Sequence, residues 1–358
     1  MSRLPREILE VSFRNALDST STTTRHLLLG NGFSIDARES FRYDSLFERA
    51  GGFSPPVDQL FRDLRSTDFE AALENLSRRI AEAKDDHPLV AELVEQQREI
   101  RQAFLTAVSR VHPDSSTDID DEEKANCAAF LSHFVGTNRD LGTRNKNFRG
   151  KIFTTNYDLL LYWCLVKYGK RLNCHDGYIN PSHTDEYGVW RPTSAPRLLY
   201  LHGALHIFRV GSQHRMNRYQ GHRRLIAQTR RRLGVGEFPL FVSEGSQEMK
   251  RKAIDASPYL TMASDALDGA LKNSKAALFI FGHGLGERDG HLLKRIGELR
   301  IGSVFIGAWG GRAGPSGGAV ERWAETWWQE RERESLPYPL NVYVFDSSRF
   351  SVWKRRFR

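Results

Sequence analysis

What most constrains this chain is a succession of short apolar runs, each ending at a small or polar residue. Arg25-His-Leu-Leu-Leu-Gly30 and Lys151-Ile-Phe-Thr-Thr155 are two, and further runs end at Leu201, Val242, Phe281, Ile306 and Phe345. Runs this short, closed by turn residues, read as buried strands, and most are separated by helical patterns or long loops. That rhythm predicts an α/β fold, a Rossmann-like parallel sheet flanked by helices. Such sheets bind ligands at the carboxyl ends of their strands, so the polar residues just after each run are the first candidates for function.

One stretch breaks the rhythm. After Gly51-Gly-Phe-Ser-Pro-Pro56 the chain becomes charged and periodic. Thr67 with Glu70 predicts a capping box, and Phe69, Leu73, Leu76 and Ile80 fall on one helical face. Leu93, Ile100, Phe104 and Val111 form a second stripe, and the acidic stretch Asp118 to Glu123 opens a third helix carrying Cys127, Phe130, Leu131 and Phe134. Residues 1–49 and 148–358 are therefore expected to form the sheet domain, with 50–147 a helical insertion. The 358 residues, 40% hydrophobic, offer enough apolar surface for one large elaborated domain or two joined ones, which excludes a disordered chain.

Charge and cysteines narrow the class further. Fifty-two Lys plus Arg against forty-four Asp plus Glu leave +8, suited to a phosphate-bearing ligand, nucleic acid or an acidic partner. Arg209 to Arg232 holds eight arginines, His214 and His222 without an acid, and Lys354 to Arg358 is a second basic cluster. Tyr219 is the only aromatic in the arginine run, so a solvated face or subunit contact is favoured over a nucleic-acid groove. Cys127, Cys164 and Cys174 contain no Cys-x-x-Cys pair, which excludes a disulfide framework and a four-cysteine zinc site. No run is long enough to cross a bilayer and the start lacks a secretory segment, so a soluble, cytoplasmic protein with no membrane contact is expected.

Four motifs follow apolar runs. Gly30-Asn31-Gly32-Phe33-Ser34 is a tight loop whose glycines allow backbone N–H groups close to a pyrophosphate, or simply make a turn. In Thr154-Thr155-Asn156-Tyr157-Asp158, Asn156 and Asp158 are both good helix caps. One helix needs only one, which favours a ligand contact for Asn156. Leu201-His202-Gly203 puts an imidazole at a strand end, where a general base is feasible. Phe281-Gly282-His283-Gly284-Leu285-Gly286-Glu287-Arg288-Asp289 is glycine-rich; His283, Asp289 and His291 lack the spacing of a known metal site, so a backbone-lined nucleotide cleft is the reading and no metal is expected.

In this order the motifs resemble those of the sirtuin superfamily, over residues 26 to about 346. The resemblance implies that Gly30, Asn31, Gly32, Phe33 and Ser34 form an NAD pyrophosphate loop. It further assigns Thr155, Asn156 and Asp158 to the nicotinamide-ribose pocket and His202 to the catalytic histidine. Gly282, His283, Gly284 and Leu285 then fall near the adenine ribose and Asp346 near the adenine edge. Deacylase sirtuins carry a zinc module of two Cys-x-x-Cys pairs, which three scattered cysteines do not reproduce. The closer similarity is to the zinc-less sirtuin-like domains of bacterial antiphage defence systems, and it implies an NAD hydrolase with Asn156, His202 and Asp158 catalytic and NAD as substrate. It also implies a toxic effector needing an off state, through homo-oligomerisation or a sensor subunit such as a HerA-type ATPase. An ADP-ribosyltransferase, or a non-catalytic sensor of NAD or ADP-ribose, would use the same pocket.

Overall fold

The structure is a computed structural model describing residues 6–83, 86–137, 140, 149–179, 187–192, 195–211, 213–217, 225–242, 247–337 and 339–354. Its strands, in chain order, are β1 (Ile8–Glu10), β2 (Thr24–Leu29), β3 (Ile152–Thr154), β4 (Tyr178–Ile179), β5 (Tyr187–Trp190), β6 (Leu198–Tyr200), β7 (Gly203–Val210), β8 (Gln213–Asn217), β9 (Pro239–Phe241), β10 (Ala276–Phe281), β11 (Ser303–Ala308) and β12 (Asn341–Asp346). Seven of them form one sheet in the order β1-β12-β11-β10-β2-β3-β6, with every neighbouring pair parallel. From β2 the chain builds outward through β3 to β6. It then returns to the opposite side of β2 with β10 and proceeds through β11 to β12. The direction of building thus reverses between β2 and β10, and β1 adds an outer edge. This is the Rossmann-like α/β architecture expected.

Each central strand feeds two cores, because successive side chains point to opposite faces. Leu27, Leu29, Phe279 and Phe281 enter one buried cluster, while Leu28, Leu278 and Ile280 enter the other. Phe279, Phe305 and Tyr343 occupy paired positions on β10, β11 and β12, and their rings stack at 4.6 and 4.5 Å. On the opposite face, Trp327 Nε1 in the helix Gly317–Arg333 donates to Leu293 O at 2.7 Å.

The insertion forms helices Pro55–Leu64, Phe69–Glu82, His87–Val111 and Asp121–Val135. Phe69, Leu73, Leu76, Leu93, Ile100, Phe104, Phe130 and Phe134 are buried in the same cluster as Leu27 and Leu29, so insertion and sheet share a core. One cap differs from expectation. Asp68, not Thr67, caps Phe69–Glu82, its Oδ1 accepting from Glu70 N at 2.9 Å and Ala71 N at 3.3 Å. A carboxylate is a strong acceptor for these amides, and the Glu70 side chain is drawn instead to Lys250.

The run ending at Val242 is also a correction. Its strand, β9, lies in a second, antiparallel sheet of order β4-β5-β8-β7-β9. Only Leu201 and His202 separate β6 from β7, too little for the crossover of a dozen or so residues that a parallel neighbour needs, so β7 turns away into a new sheet. The arginine run supplies β8 and the helix Leu225–Gly234; residues 212 and 218–224, with Tyr219 and His222, lie outside the described residues, as do Arg355 to Arg358. Arg230 pairs with Asp114 of the segment after His87–Val111 at 2.8 Å, and Arg232 with Glu237 at 2.7 Å. All three cysteines are buried and free. Among the described residues no helix is long and apolar enough to cross a membrane.

Candidate active site

The four motifs meet because the strands that carry them end level. Phe281 pairs with Leu29, Leu29 with Thr154 and Thr154 with Tyr200. The ladder continues one step beyond, with Gly30 N donating to Phe281 O, Thr155 N to Leu29 O and Leu201 N to Thr154 O at 2.8–3.0 Å. Gly30, Asn156, His202 and Gly282, far apart in sequence, therefore emerge side by side at the carboxyl edge where the building direction reverses, the usual place for a ligand crevice. A cavity of about 1080 Å³ opens there. Gly30, Asn31, Gly32, Thr155, Asn156, Asp158, His202, Gly282, His283 and Gly284 line it. Phe33, Ser34, Leu285 and Asp346 are not in its wall. Phe33 packs on Trp353 at 5.1 Å, and Leu285 is buried in the core. Asp346 Oδ1 accepts from Gly310 N and Ser348 N, which makes it a loop brace.

The glycines are explained by loop-on-loop packing. A Cβ at Gly32 would sit 2.6 Å from Gly282 Cα, and one at Gly30 would sit 2.5 Å from His283 Cα. Gly282 has φ +66°, and a Cβ on it would meet Phe33 N at 2.4 Å. The N–H groups of Gly30, Gly32, Phe33 and Ser34 all donate to carbonyls within the protein. Those four amides are thus already engaged within the protein, and the helix that follows, Gly32–Ala37, is only six residues long.

Asn156 and Asp158 are joined through Ser34. Asn156 Nδ2 donates to Gly30 O at 3.0 Å and to Ser34 Oγ at 2.9 Å, and Ser34 Oγ donates to Asp158 Oδ2. Both amide hydrogens are used in holding the glycine turn, so Oδ1 is what Asn156 has left for a ligand. Asp158 Oδ1 accepts from Leu160 N at 2.9 Å, so Asp158 and not Asn156 braces the start of the helix Leu160–Leu172, whose N-cap is Leu159. Burial raises the Asp158 carboxyl above the ordinary range despite these hydrogen bonds.

His202 sits on the hinge between the two sheets. Gly203 has φ +85° and a Cβ there would overlap Leu240 O at 2.0 Å, so only glycine permits the turn that presents the ring. His202 is 2% exposed. Burial pushes its pKa well below 6.5 against the pull of Asp289, leaving a neutral imidazole at physiological pH. Its Nε2 lies 3.2 Å from His291 Nε2 and 3.9 Å from Asp289 Oδ1. His283 Nδ1 accepts from Leu285 N at 3.0 Å, so its Nε2 carries the proton and donates to Asp289 Oδ2 at 3.1 Å. Burial alone would raise the Asp289 carboxyl; the bond from His283 and the charge of Lys250 outweigh it and hold the group well below the carboxylate range.

The other wall comes from the insertion and its surroundings. Tyr43, Asp68, Glu70, Glu74, Phe104 and Val108 face the same cavity. Lys250, fully buried, bonds Glu70 Oε2 at 3.1 Å and Asp289 Oδ1 at 3.0 Å, tying the helix Phe69–Glu82 to the group beside His202. Arg288 spans the same gap to Asp68 and to Glu74. The Phe104 ring packs against Tyr157 and Phe241 at 5.9 and 5.5 Å. His112 Nε2 accepts from Leu159 N at 2.9 Å, just after Asp158. Among the described residues, eight carboxylate residues line the cavity with Arg288 the sole Lys or Arg, an acidic pocket in a basic protein.

The family model of DUF4917, a domain of unknown function, matches residues 27–353. The chain belongs to the DUF4917 family. No curated protein matches it. The matched span of this DUF4917 chain runs from the second half of β2 through β12, hence takes in every motif at the strand ends and residues 50–147. Sequence reading missed Glu70, Lys250, Arg288 and Trp309 as cavity or network residues of this DUF4917 chain. Glu70 and Lys250 lie 180 positions apart and nothing local links them. Trp309 did carry a signal, a lone tryptophan right after the run ending at Ile306 and before a glycine-rich loop; it is 65% exposed and lines the cavity.

Proposed function

We propose that this protein is an NAD+ glycohydrolase of the sirtuin-like type, cleaving NAD to nicotinamide and ADP-ribose. The observation that carries the reading is that Asn156 and His202, assigned to one reaction from sequence motifs, line a single cavity at the switch point of a Rossmann-like sheet. At about 1080 Å³ the cavity reaches the upper end of the range of roughly 300–1,000 Å³ usual for small-molecule sites, as a dinucleotide requires.

The chemistry asks for little acid catalysis. The glycosidic C–N bond breaks with its electron pair passing to the nicotinamide nitrogen, which was already cationic and leaves neutral. Water forms the new bond to the ribose carbon and gives up a proton. His202, neutral and buried, accepts that proton, or one from a ribose hydroxyl. Asn156 Oδ1 orients the ribose hydroxyls or the water. Asp158 and the carboxylate-rich wall favour the oxocarbenium-like centre over its neutral surroundings. The glycine turns contribute the tight packing of the Gly30 and Gly282 loops that lets both line one crevice, rather than a set of N–H donors.

The test is to quantify nicotinamide, ADP-ribose and cyclic ADP-ribose from NAD incubated with wild type, Asn156→Ala and His202→Ala, with and without phage nucleic acid. Nicotinamide release that disappears in both folded variants supports the reading; a folded His202→Ala protein with undiminished turnover refutes it. Label that stays on macromolecule rather than on free ADP-ribose would identify a transferase instead. A role as toxic antiphage effector, with the arginine-rich segment docking a second copy or a sensor subunit, belongs to the same proposal.

A further inference from the structure

We propose that His202, His291 and Asp289 form a binding site for one divalent first-row transition cation of the Zn2+ class, set into the inner wall of the cavity. The three residues come from the turn before β7, the loop after β10 and the first turn of the helix Gly290–Glu298. One donor atom from each lies within 4.8 Å of the other two. The two imidazole Nε2 atoms face each other at 3.2 Å. A cation about 2.1 Å from two nitrogens holds them about 3.0–3.4 Å apart in octahedral or tetrahedral geometry, so the ring pair already stands at ligand spacing. Asp289 Oδ1 stands 3.9 Å from His202 Nε2, about half an ångström beyond the upper end of that spacing.

Two imidazoles and a carboxylate suit Zn2+, Co2+ or Fe2+, whereas Ca2+ and Mg2+ prefer all-oxygen sets. A supporting layer is present too. His283 Nε2 holds Asp289 Oδ2 at 3.1 Å and is itself fixed by Leu285 N, the outer-shell bracing typical of metal ligands. Lys250 opposes a cation, since its Nζ lies 3.0 Å from Oδ1, but Glu70 at 3.1 Å balances that charge and the oxygen retains a second lone pair. His202 and Asp289 line the cavity, so the remaining coordination positions open toward it. A plain ring-to-ring hydrogen bond is the competing account of the 3.2 Å contact. A bound cation would occupy the Nε2 lone pair of His202 and so restrain turnover; that consequence, unlike the site, rests on the NAD reading above.

The experiment uses the full chain stripped with chelator and then titrated separately with Zn2+ and Co2+, read by equilibrium dialysis and by the visible absorption of Co2+. The expected result is one ion per chain. Affinity should fall at least about 100-fold in His291→Ala and in Asp289→Asn, and stay unchanged in the exposed control His87→Ala. X-ray absorption on zinc-loaded wild type should show two imidazoles, which keeps the test decisive if a variant fails to fold. Substoichiometric binding by wild type, variants that bind as wild type, or a zinc shell without imidazole would overturn the proposal. Assaying nicotinamide release from NAD by the stripped and loaded protein separates the two readings. Stoichiometric zinc with no turnover in either form leaves the site standing and removes the NAD assignment, while turnover without bound zinc does the reverse.

Discussion

The cavity has two walls built on different principles. The sheet-end wall is made of backbone: level strand ends, glycine turns packed Cα against carbonyl, and a few side chains fixed by short hydrogen bonds to that backbone. The insertion wall is made of side chains, with helices held across the gap by Lys250 and Arg288 bonded to Glu70, Asp68 and Glu74. The first is rigid because its geometry follows from strand register. The second depends on buried charges that stabilise only while every partner is present. Removing a reacting side chain from the sheet-end wall should therefore remove chemistry, and removing a charged partner from the insertion wall should remove stability.

The largest effect that can break this contrast is in the sheet-end wall. His202→Ala should lower nicotinamide release by about 10²–10⁴-fold, the usual contribution of a general base, with little change in melting temperature. Equal loss of stability would mean that His202 is a packing residue. The pH profile sharpens the point. Because the folded pKa lies below 6.5, the imidazole stays in its basic form as pH falls through 6.5 and is lost only at lower pH. The rate of nicotinamide release should accordingly hold through that pH, where an unperturbed histidine would already be half protonated.

The insertion wall should answer in the opposite way. Glu70→Ala leaves the fully buried Lys250 with Asp289 alone and should cost about 3–4 kcal/mol in denaturant unfolding. Turnover per folded molecule should fall far less than in His202→Ala. If stability is unchanged, the charges crossing the gap are not what holds the helices down.

Gly282→Ala tests the sheet-end wall where it is tightest. With φ at +66° and Phe33 N 2.4 Å from the new Cβ, the substitution should cost about 2–3 kcal/mol. It should also shift the neighbouring turn at Gly30, visible as altered hydrogen exchange at Gly32 N, which donates to Gly282 O at 2.7 Å.

The same contrast explains what the sequence could show. The parallel sheet, the helices between Pro55 and Val135 and the strand-end position of Gly30, Asn156, His202 and Gly282 were legible because run length, turn residues and helical stripes are local signals. Convergence was inferable only from the rule that parallel strands present their carboxyl ends together. The antiparallel sheet was not legible, since the decision at His202-Gly203 depends on a connection too short to cross over. Nor were Glu70, Lys250 and Asp289 as a network, because their partnership is set by how the insertion folds back over the sheet and leaves no periodicity. Even the glycine loop was half legible. Its tightness followed from composition, but that its amides face inward toward Phe281 and Gly282 followed only from the packing.

The smallest expected effect lies at the cavity rim. Trp309 follows β11 and is 65% exposed, yet it lines the cavity beside Gly307, Ser316 and Ser347. An exposed indole makes few contacts with its own protein, so Trp309→Ala should change stability by no more than about 0.5 kcal/mol. If an adenine ring stacks on it, the loss is one base–aromatic contact, worth about 1 kcal/mol at so wet a position, and KM for NAD should rise roughly five-fold with kcat unchanged. Trp309→Phe should recover most of that. Fluorescence quenching of the wild-type protein by ADP-ribose, set against the Trp309→Phe variant, reads the same contact without turnover. Unaltered KM and quenching would move the base away from this edge of the sheet and toward the insertion wall, making that wall part of recognition as well as of stability.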